Sequence, residues 1–274
     1  MVNLDAIEKE LEPIEYEYTW KDVILYALGI GAGNEDLNFV YENGLKVYPT
    51  FAVIPPFSAM DSIVDEADLN LLMLVHAGQK ILLHGEIPTE GKLTTTGRIS
   101  RIYDTGKHSV TIADAETRDE KNNLLFSNTY SILVRGGGGF GGEKPPAAGN
   151  VPPDREPDFR DEMVTLKNQN LVYRLSGDLN PLHVDPEFAR MAGYDTPILH
   201  GLCTYGFAGR AILRNLCDDD PGKLKSFGVR FSNVVYPGDT IITEGWRMGG
   251  GKYIIQTKNQ DEKVILSNAA AEVR

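Results

Sequence analysis

Apolar and polar positions alternate with a two-residue period along several stretches of the chain, the signature of half-buried strands. In the first half these stretches are LLHGEIP, KLTTTGRISRIYDTG, HSVTIADAETRD and LLFSNTYSILVRG; in the second they are FGVRFSNVVYPGD, TIITEGWRM, KYIIQTKNQ and VILSNAAAEV. Turn residues separate them (EGK, TGK, PGD, MGGGK), which suits antiparallel hairpins. A different period governs residues 202–216, LCTYGFAGRAILRNL. There Leu202, Tyr205, Ala208, Gly209, Ile212 and Leu216 recur at three- and four-residue steps, predicting a buried helix. Gly206 and Gly209 cost helix propensity, and their missing side chains would let the helix lie close on a sheet.

The two halves follow one plan. YTWKDVILYALGIG, EDLNFVYENG and LKVYPTFAVIPPF in the first answer to TLKNQNLVYRLSG, GDLNPLHVDPEF and YDTPILHGLCTYGFAGRAILRNL in the second. A duplicated unit of one helix plus an antiparallel sheet is the simplest account, and the fold class is α+β. Between the units, residues 136–157 (GGGGFGGEKPPAAGNVPPDREP) read as a linker, with units at 1–135 and 158–274. No GK[ST] follows the glycines, so they are no phosphate loop. The first unit's counterpart of the buried helix, FAVIPPFSAMDSI, contains Pro55 and Pro56, which a long helix cannot pass. The first helix is therefore expected to be shortened or broken, and the space left is open either to an apolar group from outside or to other side chains.

Composition narrows the function classes. The 274 residues carry 27 Lys+Arg against 39 Asp+Glu, a formal charge of −12. That balance argues against nucleic-acid binding, and any anionic ligand must meet a local basic patch. No run approaches the ~18 apolar residues of a membrane span. Cys203 and Cys217 form no CxxC pair, which excludes a disulfide framework and a cysteine zinc site.

Chemistry concentrates in residues 173–189, YRLSGDLNPLHVDPEFA. Asx side chains bond nearby amides and Pro181 fixes its own φ, so Asp178 and Asn180 sit in a turn that brings His183 near. Two readings follow: the pair Asp178 and His183 holds and deprotonates one water, or Asp178 and Asn180 merely cap a turn while His183 packs on the sheet. Downstream, His200-Gly201 opens the buried helix, where free amides attract anions and carbonyl oxygens and Gly201 admits close approach. Water activation beside an oxyanion site suits hydration of a polarised double bond or hydrolysis of an acyl derivative. His183, Asp185 and His200 also spell a two-His, one-carboxylate set, but Asp185-Pro186 reads better as a helix cap, and no metal is expected.

The run from Tyr173 to His183, followed by Ala189, resembles the signature of type 2 (R-specific) 2-enoyl-CoA hydratases of the MaoC-like hot-dog family. PILHGLCTYGFAGRA, FGVRFSNVVYPGDT and, in the first half, LYALGIGA, PTFAVI, LLHGE and GGGGFGG are similar to it in order, so the resemblance covers nearly the whole chain. It looks nearest to the hydratase 2 region of peroxisomal multifunctional β-oxidation enzymes. The resemblance implies a double hot-dog and reversible hydration of trans-2-enoyl-CoA to (3R)-3-hydroxyacyl-CoA. It implies Asp178 and His183 as the water-holding dyad, Asn180 shaping the loop, and the Gly201 amide as thioester-oxygen donor. It places His84, Gly85, Lys107 and Phe231 on the substrate and CoA. No cofactor is implied, since CoA is part of the substrate. In the first half DLNFVY stands where the second has DLNPLH, so one site per chain follows, with the first unit holding medium or long acyl chains. A homodimer and a peroxisomal setting are further implications. The end AAAEVR lacks a Ser-Lys-Leu-type tripeptide, which fits a piece of a longer multifunctional chain or import by another signal. Thioester hydrolysis, or acyl-CoA binding without turnover, are the alternative functions.

Overall fold

The computed structural model describes residues 2–70 and 73–274. The first unit runs β1 (Ile14–Tyr18), α1 (Trp20–Gly29), α2 (Leu37–Val40), a 3-10 turn (Pro49–Val53), α3 (Ala59–Glu66), β2 (Leu74–Leu83), β3 (Gly91–Asp104), β4 (Ser109–Asp119) and β5 (Leu124–Val134). The second runs β6 (Phe159–Val164), α4 (Gln169–Tyr173), α5 (Pro186–Met191), α6 (Gly201–Leu216), β7 (Leu224–Phe231), β8 (Thr240–Gly249), β9 (Lys252–Asn259) and β10 (Val264–Val273). The strands pair in the order β1-β3-β4-β5-β2-β7-β10-β9-β8-β6. Each half repeats one order, first-third-fourth-fifth-second, so the duplicated plan is a duplicated topology. Instead of two separate sheets there is one: β2 pairs antiparallel with β7, Gly78 opposite Arg230 and Leu82 opposite Ser226.

Alternation is clearest in β4, where every second side chain from Ser109 to Thr117 is buried. Strands β1 (IEYEY) and β6 (FRDEMV) escape the hydrophobic pattern because they are charged outer strands, with Glu15 and Glu17 alternating in β1 and three consecutive charges, Arg160 to Glu162, in β6. β2 lies upstream of the LLHGEIP stretch; its upper part, LVHAGQK, is too polar to read as a buried strand.

α6 forms as expected and is buried from Leu202 to Leu213, Arg210 included. Its small residues do not face the sheet, however. A Cβ at Gly206 would stand 2.2 Å from Ile30 Cγ2, and one at Gly209 would stand 2.4 Å from Thr50 Cγ2. The close neighbours are the chain after α1 and the Pro49–Val53 turn. The first helix is broken as Pro55-Pro56 predicts, and Phe51, Ala52 and Val53 are fully buried beside the break. Asn128 Nδ2 donates to Ala52 O at 3.0 Å and Gln79 Nε2 to Asn128 Oδ1 at 2.7 Å, tying that turn to the sheet.

The two units are locked at one buried ion pair. Arg210 Nη2 lies 2.7 Å from Asp36 Oδ2, and its Nη1 donates to Ile30 O at 3.1 Å. From Gly137 to Asp158 the chain forms neither helix nor strand. It is tied down along the way, as Asn150 Nδ2 donates to Asn268 O at 3.1 Å and Trp246 Nε1 to Arg155 O at 2.9 Å.

Candidate active site

The DLNPLH segment is shaped by what precedes it. α4 passes into a 3-10 turn, Arg174–Ser176, which stops at Gly177 with φ +129°, a value that favours glycine. Asp178 Oδ1 then accepts the Asn180 amide at 3.2 Å, and Asn180 Oδ1 accepts the Leu182 amide at 3.0 Å. These Asx bonds, with Pro181 opening the next 3-10 turn, set His183 back toward Asp178. Two buried amides anchor the segment and carry no signal in the sequence. Asn170 Nδ2 donates to His183 O at 2.6 Å, and Gln169 Nε2 donates to the carbonyls of Leu28 and Gly29 at the end of α1.

His183 Nε2 stands 3.9 Å from Asp178 Oδ2, both side chains largely withdrawn from solvent. His183 Nδ1 is 2.9 Å from Ile198 O. A carbonyl only accepts, so Nδ1 carries the proton and Nε2 presents its lone pair toward Asp178. Burial lowers the His183 pKa against the opposing pull of Asp178, and burial likewise raises that of Asp178 against the pull of His183. Both shifts favour uncharged forms at the moment before substrate binds. His183 thus turns its unprotonated nitrogen toward Asp178, the arrangement the dyad reading requires.

His200 completes the cluster. Its ring stacks on His183 at 3.8 Å between centroids, and its Nε2 donates to Asp178 O at 3.1 Å. Burial, then the neighbouring His183, push its pKa down to about 3. Tyr173 covers the other side, ring centroids 5.0 Å apart. His200 is also the N-cap of α6, so Gly201 is the helix's first residue, exposed, with an amide that has no carbonyl behind it in the helix. A Cβ at Gly201 would lie 3.3 Å from the Phe231 ring, which stands beside it at the end of β7.

Asp178, His183 and His200 each offer a ligand atom within 4.8 Å of the others. The triad considered from sequence used Asp185 instead, and Asp185 is occupied as the α5 cap, its carboxylate accepting the Glu187 and Phe188 amides. His200 bonds Asp178 O through Nε2 and leaves Nδ1 without a partner.

Comparison with known proteins places this geometry. Residues 16–136 match the MFE-2 hydratase 2 N-terminal domain and residues 148–270 the MaoC like domain. A probable enoyl-CoA hydratase 2 of Dictyostelium discoideum is 41% identical over 97% of this chain and 94% of its own length. The chain belongs to the MaoC-like enoyl-CoA hydratase 2 family. A peroxisomal hydratase-dehydrogenase-epimerase of Neurospora crassa is 42% identical over 99% of this chain, which spans only 32% of that relative. The crystal structure of a MaoC-like dehydratase from Phytophthora capsici superposes with a TM-score of 0.91 at 33% identity, covering 100% of this chain and 98% of that one.

Seen as a hydratase 2 site, the residues expected on CoA divide. Phe231 lies against Gly201, and Lys107 is exposed in the β3–β4 turn at the same end of the sheet. His84 and Gly85 are not brought there within one chain. They follow the opposite end of β2, where His84 Nε2 bonds Ser127 Oγ at 2.9 Å. The residue of β2 that does face Phe231 is His76, ring centroids 5.1 Å apart, its Nε2 buried and unpartnered. Eight residues of strand, roughly 25 Å, separate His76 from His84. Within one chain His84 and His76 thus stand at opposite ends of β2.

Proposed function

We propose that this protein hydrates trans-2-enoyl-CoA reversibly to (3R)-3-hydroxyacyl-CoA. The observation that carries the reading is the His183 tautomer, fixed by Ile198 O with Nε2 turned to Asp178 beside the Gly201 amide. A water bonded to both Nε2 and Oδ2 is held for addition at C3. One member of the pair takes a proton as the C3–O bond forms, and the pair returns a proton to C2, so the elements of water are added across the double bond. Negative charge developing on the thioester oxygen is met by the Gly201 N–H at the α6 N-terminus, an interaction that strengthens in the transition state. Asn180 shapes the dyad loop through its backbone-bonded side chain. Phe231 lines the approach, and Lys107 with its neighbours receives the CoA phosphates.

Hydrolysis of the same thioesters is the second reading, and nothing in the site favours it over hydration. Binding without turnover would leave the oriented dyad without a use. A peroxisomal setting is supported by the Neurospora relative, a peroxisomal hydratase-dehydrogenase-epimerase. A homodimer is supported by Leu171, Leu175, Leu179 and Met191, exposed around the site loop. No helix among the described residues is long and apolar enough to cross a membrane.

The test follows loss of enoyl absorbance from trans-2-decenoyl-CoA, with chiral analysis of the product. The (3R)-hydroxy ester, with a loss of about 10²-fold or more in Asp178→Asn and His183→Ala, is the expected result. Release of free thiol without hydroxy ester would replace hydration by hydrolysis.

A further inference from the structure

The glycine-rich stretch after β5 has a partner. Asp104, at the end of β3 and only 4% exposed, has both carboxylate oxygens bound by amides of that stretch. Oδ1 accepts from Gly139 at 2.9 Å and from Gly106 at 2.7 Å, and Oδ2 accepts from Gly141 at 2.7 Å. The amide of Asp104 itself donates to Glu143 O at 2.7 Å. Successive amides closing on one anion form a nest, and here the anion comes from the protein. The contacts are too close for side chains. A Cβ at Gly138 would meet the His108 backbone at 2.6 Å and Asp104 Oδ1 at 2.8 Å, and one at Gly137 would meet Ser109 Oγ at 2.7 Å.

What this knot holds in place is the β3–β4 turn. Gly138 N–H donates to Lys107 O at 3.3 Å, and Gly136 N–H donates to His108 Nδ1 at 3.1 Å. Arg135 follows Val134, which pairs with Ser109, so Arg135 falls beside the same turn. Lys107 and Arg135 are both exposed, and neither has an ion-pair partner among the described residues. In a chain of formal charge −12 these two cations give the turn a locally positive character. From this turn to Phe231 and Gly201 the path crosses β4, β5, β2 and β7 at their shared end, three inter-strand steps or roughly 15 Å. That is the order of length of a pantetheine arm running from a thioester at Gly201.

We propose that Asp104, bound in the amides of the Gly136–Gly142 loop, is a positioning residue that holds Lys107 and Arg135 as the receptor for the phosphate-bearing end of the CoA thioester. The inference rests on the hydratase reading and adds to it a residue that never touches substrate. A neutral amide in place of the carboxylate cannot hold several N–H groups on both of its atoms, so the loop and the two cations lose their fixed spacing.

The experiment compares trans-2-decenoyl-CoA with trans-2-decenoyl-N-acetylcysteamine, which has no phosphates, in wild type, Asp104→Asn and the double variant Lys107→Ala/Arg135→Ala. The ratio of KM for the CoA ester to KM for the truncated ester is expected to rise about tenfold in both variants, the loss of one charge-assisted contact. An unchanged ratio in a folded Asp104→Asn would overturn the proposal, as would equal rises in both KM values, which mark a merely structural role. Should Asp104→Asn fail to fold, an unchanged ratio in the double variant overturns it equally. Hydration of neither ester by wild type would instead sink the hydratase reading itself.

Discussion

Replacing His200 by glutamine isolates one strongly shifted histidine of the site. In the folded chain His200 is fully buried, with one ring nitrogen on Asp178 O and Nδ1 unpartnered. Protonation would put a second N–H where no acceptor waits, and next to the stacked His183. Its pKa accordingly falls from 6.5 to about 3. The unfolded chain takes up this proton near pH 6.5 while the folded chain refuses it, so the unfolded state binds more protons across that interval. The stability contribution is therefore complete above pH 6.5 and is lost as pH falls toward 3. Integrated from pH 7 to pH 5 this one residue removes about 2 kcal/mol. His76, lowered to about 4, acts in the same direction, whereas the raised Asp178 acts in the opposite one. The difference between wild type and His200→Gln cancels those shared contributions. Urea unfolding at pH 7 and pH 5 measures it: the wild type should lose about 2 kcal/mol more than the variant on acidification. Equal losses would refute the claim that His200 is held neutral.

Other consequences can be checked separately. Because burial lowers His183, the acid limb of kcat/KM against pH should lie below 6.5; a limb above 6.5 would contradict the buried neutral imidazole. Asp36→Asn strands the buried Arg210 guanidinium and should cost about 3–5 kcal/mol in urea unfolding, where an exposed pair would cost under about 1. Gly209→Ala, normally favourable in a helix, should destabilise by about 1–3 kcal/mol because Thr50 occupies the new methyl's place, and the melting temperature reads this directly. Exhaustive dialysis against EDTA should leave hydration unchanged, since the proposed dyad works through His183 Nε2 and the Asp178 carboxylate alone; loss restored by a divalent cation would move the cluster to a metal site.

How far the chain could be read without its structure depended on whether the relevant contact was local. The strands β3 to β5 and β8 to β10 and the helix α6 were visible because each buries a face that repeats along its own residues. The Asp178–His183 pair was visible because Asx and proline chemistry acts over a few residues. The joining of β2 to β7 was not, because a strand with both neighbours paired shows no edge, and nothing in LVHAGQK names its partner. Gly206 and Gly209 show the same limit from another side. Glycine signals that something lies close, but only tertiary structure says that the neighbours are Ile30 and Thr50 and not the sheet. The stretch beside Pro55-Pro56 shows it too. Proline does break the helix there, but that Phe51, Ala52 and Val53 turn inward beside the break is decided by tertiary packing and not by the local sequence.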